Sequence, residues 1–367
     1  MKYTLALALI FGLSSVSAQR TASTREFFYV GGKYSGESVN RIMTGQMYVE
    51  VLTPQRVTQK DPLVFFHGNN QTATNWMGTP DGRPGWADYF LAQGYRVYLV
   101  DQPARGRSPW HGATNGPIAG SPSSVVEQRF TAPEVAKLWP QAKTHTQWPG
   151  DGERKGLAGD PIFDAFYATQ VESLTNAVET QTLVQAAGAA LLDKIGRAIV
   201  VTHSQAGSFG WLLADARPQL IRGIVAIEPS GPPFQNAVFE QGKARPWGLT
   251  DIPLTYDPPL TQASDLKMVR DQTPDAPDLV TCSLQADPPR HLSRLRDIPV
   301  LIVATEASYH AAYDHCTAKY LLQAGVKNTF SRLEREGIHG NGHMVMLEKN
   351  NLVVAALLQK WITGHIK

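Results

Sequence analysis

RAIVVTHSQAGSFG, residues 197–210, is the stretch whose reading decides the fold. Residues 198–201 form a short apolar run rich in β-branched side chains, bounded by Arg197 and Thr202, and they predict a buried strand. Small, helix-compatible residues come next, so the chain is expected to reverse into a helix directly after Ser204. That puts one hydroxyl at the tip of a strand-turn-helix corner. This is the geometry of a nucleophile elbow, in which a sharp turn lifts the serine oxygen above the sheet and aims the next backbone N–H at a bound carbonyl. The usual signature is G-x-S-x-G, because the residues two before and two after the serine crowd each other. Here those positions are Thr202 and Ala206, with Gly207 adjacent. Ala206 keeps the small volume and Thr202 does not. A plain strand-to-helix loop with Ser204 capping the helix fits the same residues, so the segment alone leaves both readings open.

On either side of this corner, strand and helix patterns alternate. Residues 26–30 and 47–52 alternate like two antiparallel strands, and 63–66 and 97–100 read as short buried strands separated by a helix over 85–93. Residues 198–201, 224–227 and 300–303 continue the series, with 329–333 as the last strand; further helices are expected over 164–194, 205–216, 312–324 and 344–362. This order implies an α/β fold with a largely parallel sheet covered on both faces. Sites in such sheets lie at the carboxyl ends of the strands. Residues 109–161, rich in Gly, Pro, Ser and Trp, and 230–299, rich in Pro, Asp and Leu, break the alternation. They read as insertions within one domain spanning 19–367. Both leave from strand ends on the site side, so they are expected to roof a pocket, 230–299 being the better cap candidate and idle surface loops the alternative.

Composition bounds the partners. A chain of 367 residues with 43% hydrophobic residues can bury a large core, and a net charge of +2 gives no reason to expect nucleic acid. Residues 1–18 read as a secretory signal: Lys2 is a positive start, 3–13 are mostly apolar, and Val16, Ser17 and Ala18 are small residues at the cleavage point. That run is too short to span a bilayer and no later one is long enough, so an exported, soluble protein with no membrane partner is expected. Export makes Cys282 and Cys316 candidates for one disulfide, with two separate buried thiols as the alternative. Asn70, Gln71 and Thr72 form an N-glycosylation sequon in a loop expected at the reaction centre, so it is expected to stay bare or to carry a glycan at the rim. Oligomeric state is left open, a homodimer included.

Three further groups are needed beside Ser204. In LVFFHGNNQT, residues 63–72, a strand runs into a loop where Gly68 permits close backbone approach. The N–H of Asn69 can then form one half of an oxyanion hole and the N–H of Gln205 the other. A glycine turn with His67 packed structurally is the alternative. In GIHGNGHMVMLEKNN, residues 337–351, two histidines sit four apart; His343, expected to open the C-terminal helix, is the better general base than His339. A carboxylate must hold the imidazole tautomer. Glu228 ends the run 223–227, Glu306 ends the run 300–305 where the usual hydrolase acid falls, and Asp314 is a weaker third choice. Position alone favours Glu306, and both glutamates fit helix caps or solvated strand ends as well. HExxH, zinc-like cysteine spacing and a dinucleotide fingerprint are absent and residues 310–315 have no clear ligand geometry, so neither metal nor organic cofactor is expected.

Taken jointly and in order, HGNNQT (67–72), NWMGTPDGRPGWADYF (75–90), GYRVYLVDQPARGRS (94–108), THSQAGSFGW (202–211), IEPSGPPF (227–234) and GNGHMVMLEKNN (340–351) resemble the α/β-hydrolase fold. More narrowly, they resemble a group of exported bacterial carboxylesterases and their fungal relatives, over residues 28–361. In that group the triad acid is a glutamate after the sixth strand. The resemblance therefore implies Glu228 as the acid, Ser204 as nucleophile, His343 as base, and Asn69 and Gln205 at the oxyanion hole. The characterised bacterial member carries two adjacent disulfide-linked cysteines where Asn69 and Asn70 stand here, so its loop rigidity is not expected to carry over. A secreted serine carboxylesterase, working on a small-molecule ester through an acyl-enzyme, is the expected activity. A biosynthetic hydrolase acting on one ester, lactone or thioester is the alternative, with Trp110, Trp139, Trp148 and Trp247 suiting an aromatic substrate. A non-catalytic binding protein on the same scaffold is the second alternative.

Overall fold

The computed structural model describes residues 21–366, so the expected signal segment lies outside the described residues. Eight strands form one sheet: β1 (Ser23–Ser35), β2 (Ile42–Pro54), β3 (Leu63–Phe66), β4 (Val97–Asp101), β5 (Ala198–His203), β6 (Ile221–Ile227), β7 (Val300–Ala304) and β8 (Asn328–Arg332). Their order across the sheet is β1-β2-β4-β3-β5-β6-β7-β8. The first two form a long antiparallel ribbon with Tyr29 opposite Tyr48, and β2 runs antiparallel to β4. From β4 onward all pairs are parallel.

Parallel strands require crossovers, and helices supply them. The larger ones are α1 (Trp86–Ala92), α2 (Pro161–Tyr167), α3 (Ala177–Ile195), α4 (Gly207–Ala216), α5 (Asp314–Gln323) and α6 (Asn351–His365). Helix α3 packs on α4 and β1, and α1 packs on α6. Alternate strand residues accordingly enter two separate cores: Val64, Phe66, Val200, Ile224 and Ile302 on one face, Leu63, Phe65, Ile199, Val201 and Val225 on the other. This is why these strands read as unbroken apolar runs in the sequence.

Register then fixes the site. Phe66 lies opposite Thr202, His203 opposite Ile227, and Ile227 opposite Val303. Continuing those ladders by a residue or two brings Gly68, Ser204, Glu228 and Ala304 side by side at the carboxyl edge.

Two helices depart from expectation. The helix expected over 164–194 is broken in two, because Asn176 caps a new helix by accepting from the N–H of Glu179, and the intervening Ser173–Leu174 pairs instead with Ile118–Ala119. The helix expected over 344–362 begins only at Asn351. Met344, Val345, Met346 and Leu347 are all buried, and four consecutive buried side chains do not fit one face of a surface helix. His343 therefore lies in a loop and does not open the helix. The disulfide between Cys282 and Cys316 is formed; it ties the 230–299 insertion to α5 and contributes about 3–4 kcal/mol by shortening the unfolded chain.

The 109–161 insertion is tied to the histidine loop. The N–H groups of Thr146 and Gln147 donate to the Gly340 carbonyl at 2.9 and 3.2 Å. Buried His145 bridges Glu134 at 2.6 Å and Glu348 at 2.8 Å. Glu348 in turn accepts from the N–H of Gly342 at 2.8 Å and from the Asn341 amide at 2.6 Å. Burial pulls the His145 imidazole down, but the two carboxylates outweigh it and hold the group at about 9. Because that is above the ordinary histidine value, the clamp's stabilisation is complete below about pH 6.5, fades as pH rises toward 9 and is lost above it. Its full size is on the order of 3 kcal/mol. The melting-temperature gap between wild type and His145→Gln is thus expected to be widest near pH ~6 and to narrow steadily toward pH ~9.5. A gap that stays constant over that window would show His145 to be uncharged.

Candidate active site

Ser204 follows β5 directly and holds φ 57°, in the left-handed region. For a residue with a Cβ this costs about 1–2 kcal/mol, so neighbouring contacts must hold it. The N–H of Ser230 donates to the Ser204 carbonyl at 2.9 Å, and the Ser230 hydroxyl reaches the carbonyls of Ser204 and Gln205, each at 3.2 Å. The need for small residues falls later than the signature suggests. A Cβ on Gly207 would overlap Pro229, and one on Gly210 would press on Thr202 at 3.4 Å. Space for the corner is made at those two glycines, which is why Thr202 is tolerated.

The loop after β3 comes close to this corner: a Cβ on Gly68 would lie 3.1 Å from the Ser204 Cβ and 3.1 Å from His203 Nδ1. One buried guanidinium joins the two halves. Arg105 donates to the Gly68 carbonyl at 2.9 Å and to Gln205 Oε1 at 3.2 Å. Burial lowers it to about 9, partly countered by Asp101, so it stays cationic at neutral pH. Sequence reading passed over Arg105, although it stands within PARGRS, residues 103–108. Its neighbour His67 is buried and accepts from the N–H of Gln102 at 3.3 Å, a packing role.

Asn69 and Asn70 are held by a polar web. Asn70 Nδ2 donates to the carbonyls of Ala119 and Val171 and to the Ser173 hydroxyl at 2.8, 3.0 and 3.1 Å. Ser121 donates to Asn70 Oδ1 at 2.8 Å, Ser173 to Asn69 Oδ1 at 2.7 Å, and the two asparagines bond each other at 3.0 Å. The expected loss of loop stiffness is thus offset by hydrogen bonds to the Ile118–Ala119 and Ser173–Leu174 ribbon. The same bonds enclose the sequon's amide nitrogen.

Each of the three candidate acids pairs with a different histidine. Glu228 Oε2 bonds His343 Nδ1 at 2.6 Å, with both groups buried. Glu306 accepts the N–H of Gly340 at 2.7 Å and lies 3.3 Å from exposed His339, bracing the loop from its outer side. Asp314 bonds His310 at 3.0 Å. Glu228 receives further donors: the N–H and hydroxyl of Thr305 on Oε1 at 2.9 and 2.6 Å, and the Ser308 hydroxyl on Oε2 at 2.7 Å. Burial pushes its carboxyl above the usual range, while His310 and these hydrogen bonds pull it back. Four donors facing two oxygens match an ionised, acceptor-only carboxylate.

Burial holds His343 well below the ordinary imidazole range, and His310 adds to the effect. A neutral ring donating Nδ1–H to Glu228 presents its Nε2 lone pair outward, where the Tyr309 hydroxyl stands at 3.4 Å. His203, one residue before Ser204, packs 4.5 Å from this ring and donates to the His343 carbonyl at 2.9 Å, bringing elbow and histidine loop together. Phe130 stacks on His343 at 5.1 Å, and Tyr309 is walled by Phe239 at 4.9 Å and Trp139 at 5.8 Å. Both insertions therefore reach the site. Of the four tryptophans expected there, only Trp139 belongs to this wall; Trp148 packs on Phe166 in the core, Trp110 is exposed, and Trp247 meets Tyr256 through its carbonyl.

Two groups of metal-binding side chains fall together among the described residues: Glu228, His310 and His343, and Cys282, His315 and Cys316. The cysteine sulfurs are bonded to each other, and the two nitrogens of His310 meet Asp314 and the Tyr313 hydroxyl at 3.0 and 3.1 Å.

Known proteins resemble this chain in sequence and fold. The profile of the alpha/beta hydrolase family matches residues 63–357. The chain is 50% identical over 337 residues to the probable secreted lipase phiG of Fungal sp. (strain ATCC 74256), covering 92% of this chain and 88% of that protein. It is 25% identical to a novel bacterial esterase solved at atomic resolution, covering 95% of this chain and 98% of that one with a TM-score of 0.62. With sheet order, elbow and family profile in agreement, the chain belongs to the alpha/beta hydrolase family.

Proposed function

We propose that this protein is a secreted serine carboxylesterase that cleaves a small-molecule carboxylic ester through an acyl-enzyme. The observation that carries the reading is the buried 2.6 Å bond between Glu228 and His343, in a loop that His203, the residue before Ser204, ties to the elbow. Export is supported by the 50% identical relative, itself described as a probable secreted lipase, and by the signal-like residues 1–18. No helix among the described residues is long and apolar enough to cross a membrane.

In the proposed reaction, His343 Nε2 takes the Ser204 proton as Oγ attacks the ester carbonyl, and the Glu228 carboxylate stabilises the imidazolium that forms. The N–H groups of Asn69 and Gln205 hold the oxyanion, with Arg105 keeping the two loops at a fixed separation. The proton passes to the departing alkoxide, and water then releases the acyl group by the same route in reverse. The two insertions act as the cap, with Phe130 and Trp139 from the first and Phe239 from the second. That aromatic wall favours a second reading of substrate only: an aromatic ester, lactone or thioester from a biosynthetic route in place of simple esters.

Ser204→Ala is expected to abolish hydrolysis of a short p-nitrophenyl ester and labelling by a fluorophosphonate probe, with thermal unfolding unchanged. Retained turnover would remove the serine mechanism, and a wild-type protein that neither labels nor turns over would be a binding protein. The acids are separable as well. Glu228→Gln is expected to lower kcat by about 10⁴-fold, as loss of the tautomer-fixing carboxylate does, whereas Glu306→Gln costs about tenfold or less through its loop contact. The reverse ranking would move the acid to the end of β7.

A further inference from the structure

Tyr309 stands at the junction of every group the reaction uses. It follows β7 in a turn whose first N–H contact, from His310, goes to the Ser308 hydroxyl at 3.2 Å. That hydroxyl in turn donates to Glu228 at 2.7 Å, so the backbone carrying Tyr309 is anchored to the same carboxylate that orients His343. The ring is fixed on several sides, by His343 at 4.9 Å, His310 at 4.5 Å, Phe239 at 4.9 Å and Trp139 at 5.8 Å. Its hydroxyl lies 3.4 Å from His343 Nε2, and the Ser204 side chain is among the groups that pull the phenol back against its burial. Hydrogen bonds of this length in a free enzyme commonly tighten when substrate is bound.

The serine oxygen and the imidazole nitrogen delimit where the departing oxygen must be. It leaves the carbon attached to Ser204 Oγ and takes its proton from His343 Nε2, so a hydroxyl held beside that nitrogen stands next to that oxygen. We propose that Tyr309 is a further catalytic residue whose hydroxyl donates a hydrogen bond to the leaving oxygen during acylation. This rests on the serine-esterase reading and adds a fourth side chain to it. As the tetrahedral intermediate collapses, the carbon–oxygen bond to the alcohol breaks and its electron pair goes to the departing oxygen. The proton on Nε2 moves to that oxygen, the oxyanion reforms a carbonyl on Ser204, and Tyr309 keeps its own proton throughout. Burial raises the phenol well above its ordinary value, which suits a donor that never ionises. Only rotation about the C–O bond is required, since the ring is already in place.

The test is Tyr309→Phe, which removes one oxygen from a packed ring, assayed as kcat/KM on ethyl, phenyl and p-nitrophenyl esters of one acid. This quantity reports acylation, so deacylation does not mask the result. Donation to a developing anion is worth roughly 10- to 100-fold on the ethyl ester. The loss is expected to shrink as the alcohol becomes more acidic, being smallest with p-nitrophenol, so the variant depends more steeply on leaving-group acidity than wild type. An equal loss on all three esters would mean that the tyrosine only packs, and a gain would mean that it obstructs the site. Either overturns the proposal. Ser204→Ala, assayed beside it, separates this from failure of the esterase reading: if that variant is inactive on all three esters, only the role of Tyr309 is in question.

Discussion

A carboxylate sealed from solvent is costly unless its lone pairs are met, and Glu228 is fully buried. Meeting that requirement shapes the surroundings. Thr305 and Ser308 must stand on the loop after β7, and the histidine loop must come in from the far end of the chain to supply the fourth donor. Sheet register makes this possible by bringing the ends of β6 and β7 together. Loop placement, imidazole tautomer and the direction in which Nε2 faces all follow from satisfying two oxygens.

A second carboxylate does similar work one layer out. Glu348 binds Asn341 and Gly342 from below while His145 ties it to the 109–161 insertion. The segment covering the site and the loop carrying His343 are therefore one mechanical unit. The insertion moves or stays with the imidazole it shelters, and the aromatic side chains it contributes inherit that placement.

Most of the sheet was legible in the sequence because β3 to β7 are buried on both faces and read as uninterrupted apolar runs. Helix limits were less legible for local reasons. Asn176 restarts a helix inside a stretch that looks continuous, and residues 344–347 imitate a helix while filling the core as a turn. In the site, Ser204, His343 and the HGNN loop carried recognisable local patterns. On position alone Glu228 was ambiguous against Glu306, since both end strands; the family resemblance pointed to Glu228, and the packing of distant loops sets it against His343 and Glu306 against Gly340. Arg105 lay inside the 94–108 stretch but carried no role there, and Tyr309 carried no signal. A buried arginine and a buried tyrosine look ordinary in sequence, and their significance lies in which atoms they touch across 37 and 34 residues of separation.

The asparagine pair beside the elbow has a consequence for how the chain is made. The amide nitrogen of Asn70 is spent on three acceptors inside the protein, two of them carbonyls of segments that are distant in sequence. A sugar on that nitrogen would replace one of its two hydrogens and displace bonds that hold the loop to its neighbours. Sugar attachment at this sequon and docking of the 118–119 and 173–174 ribbon therefore draw on the same amide group.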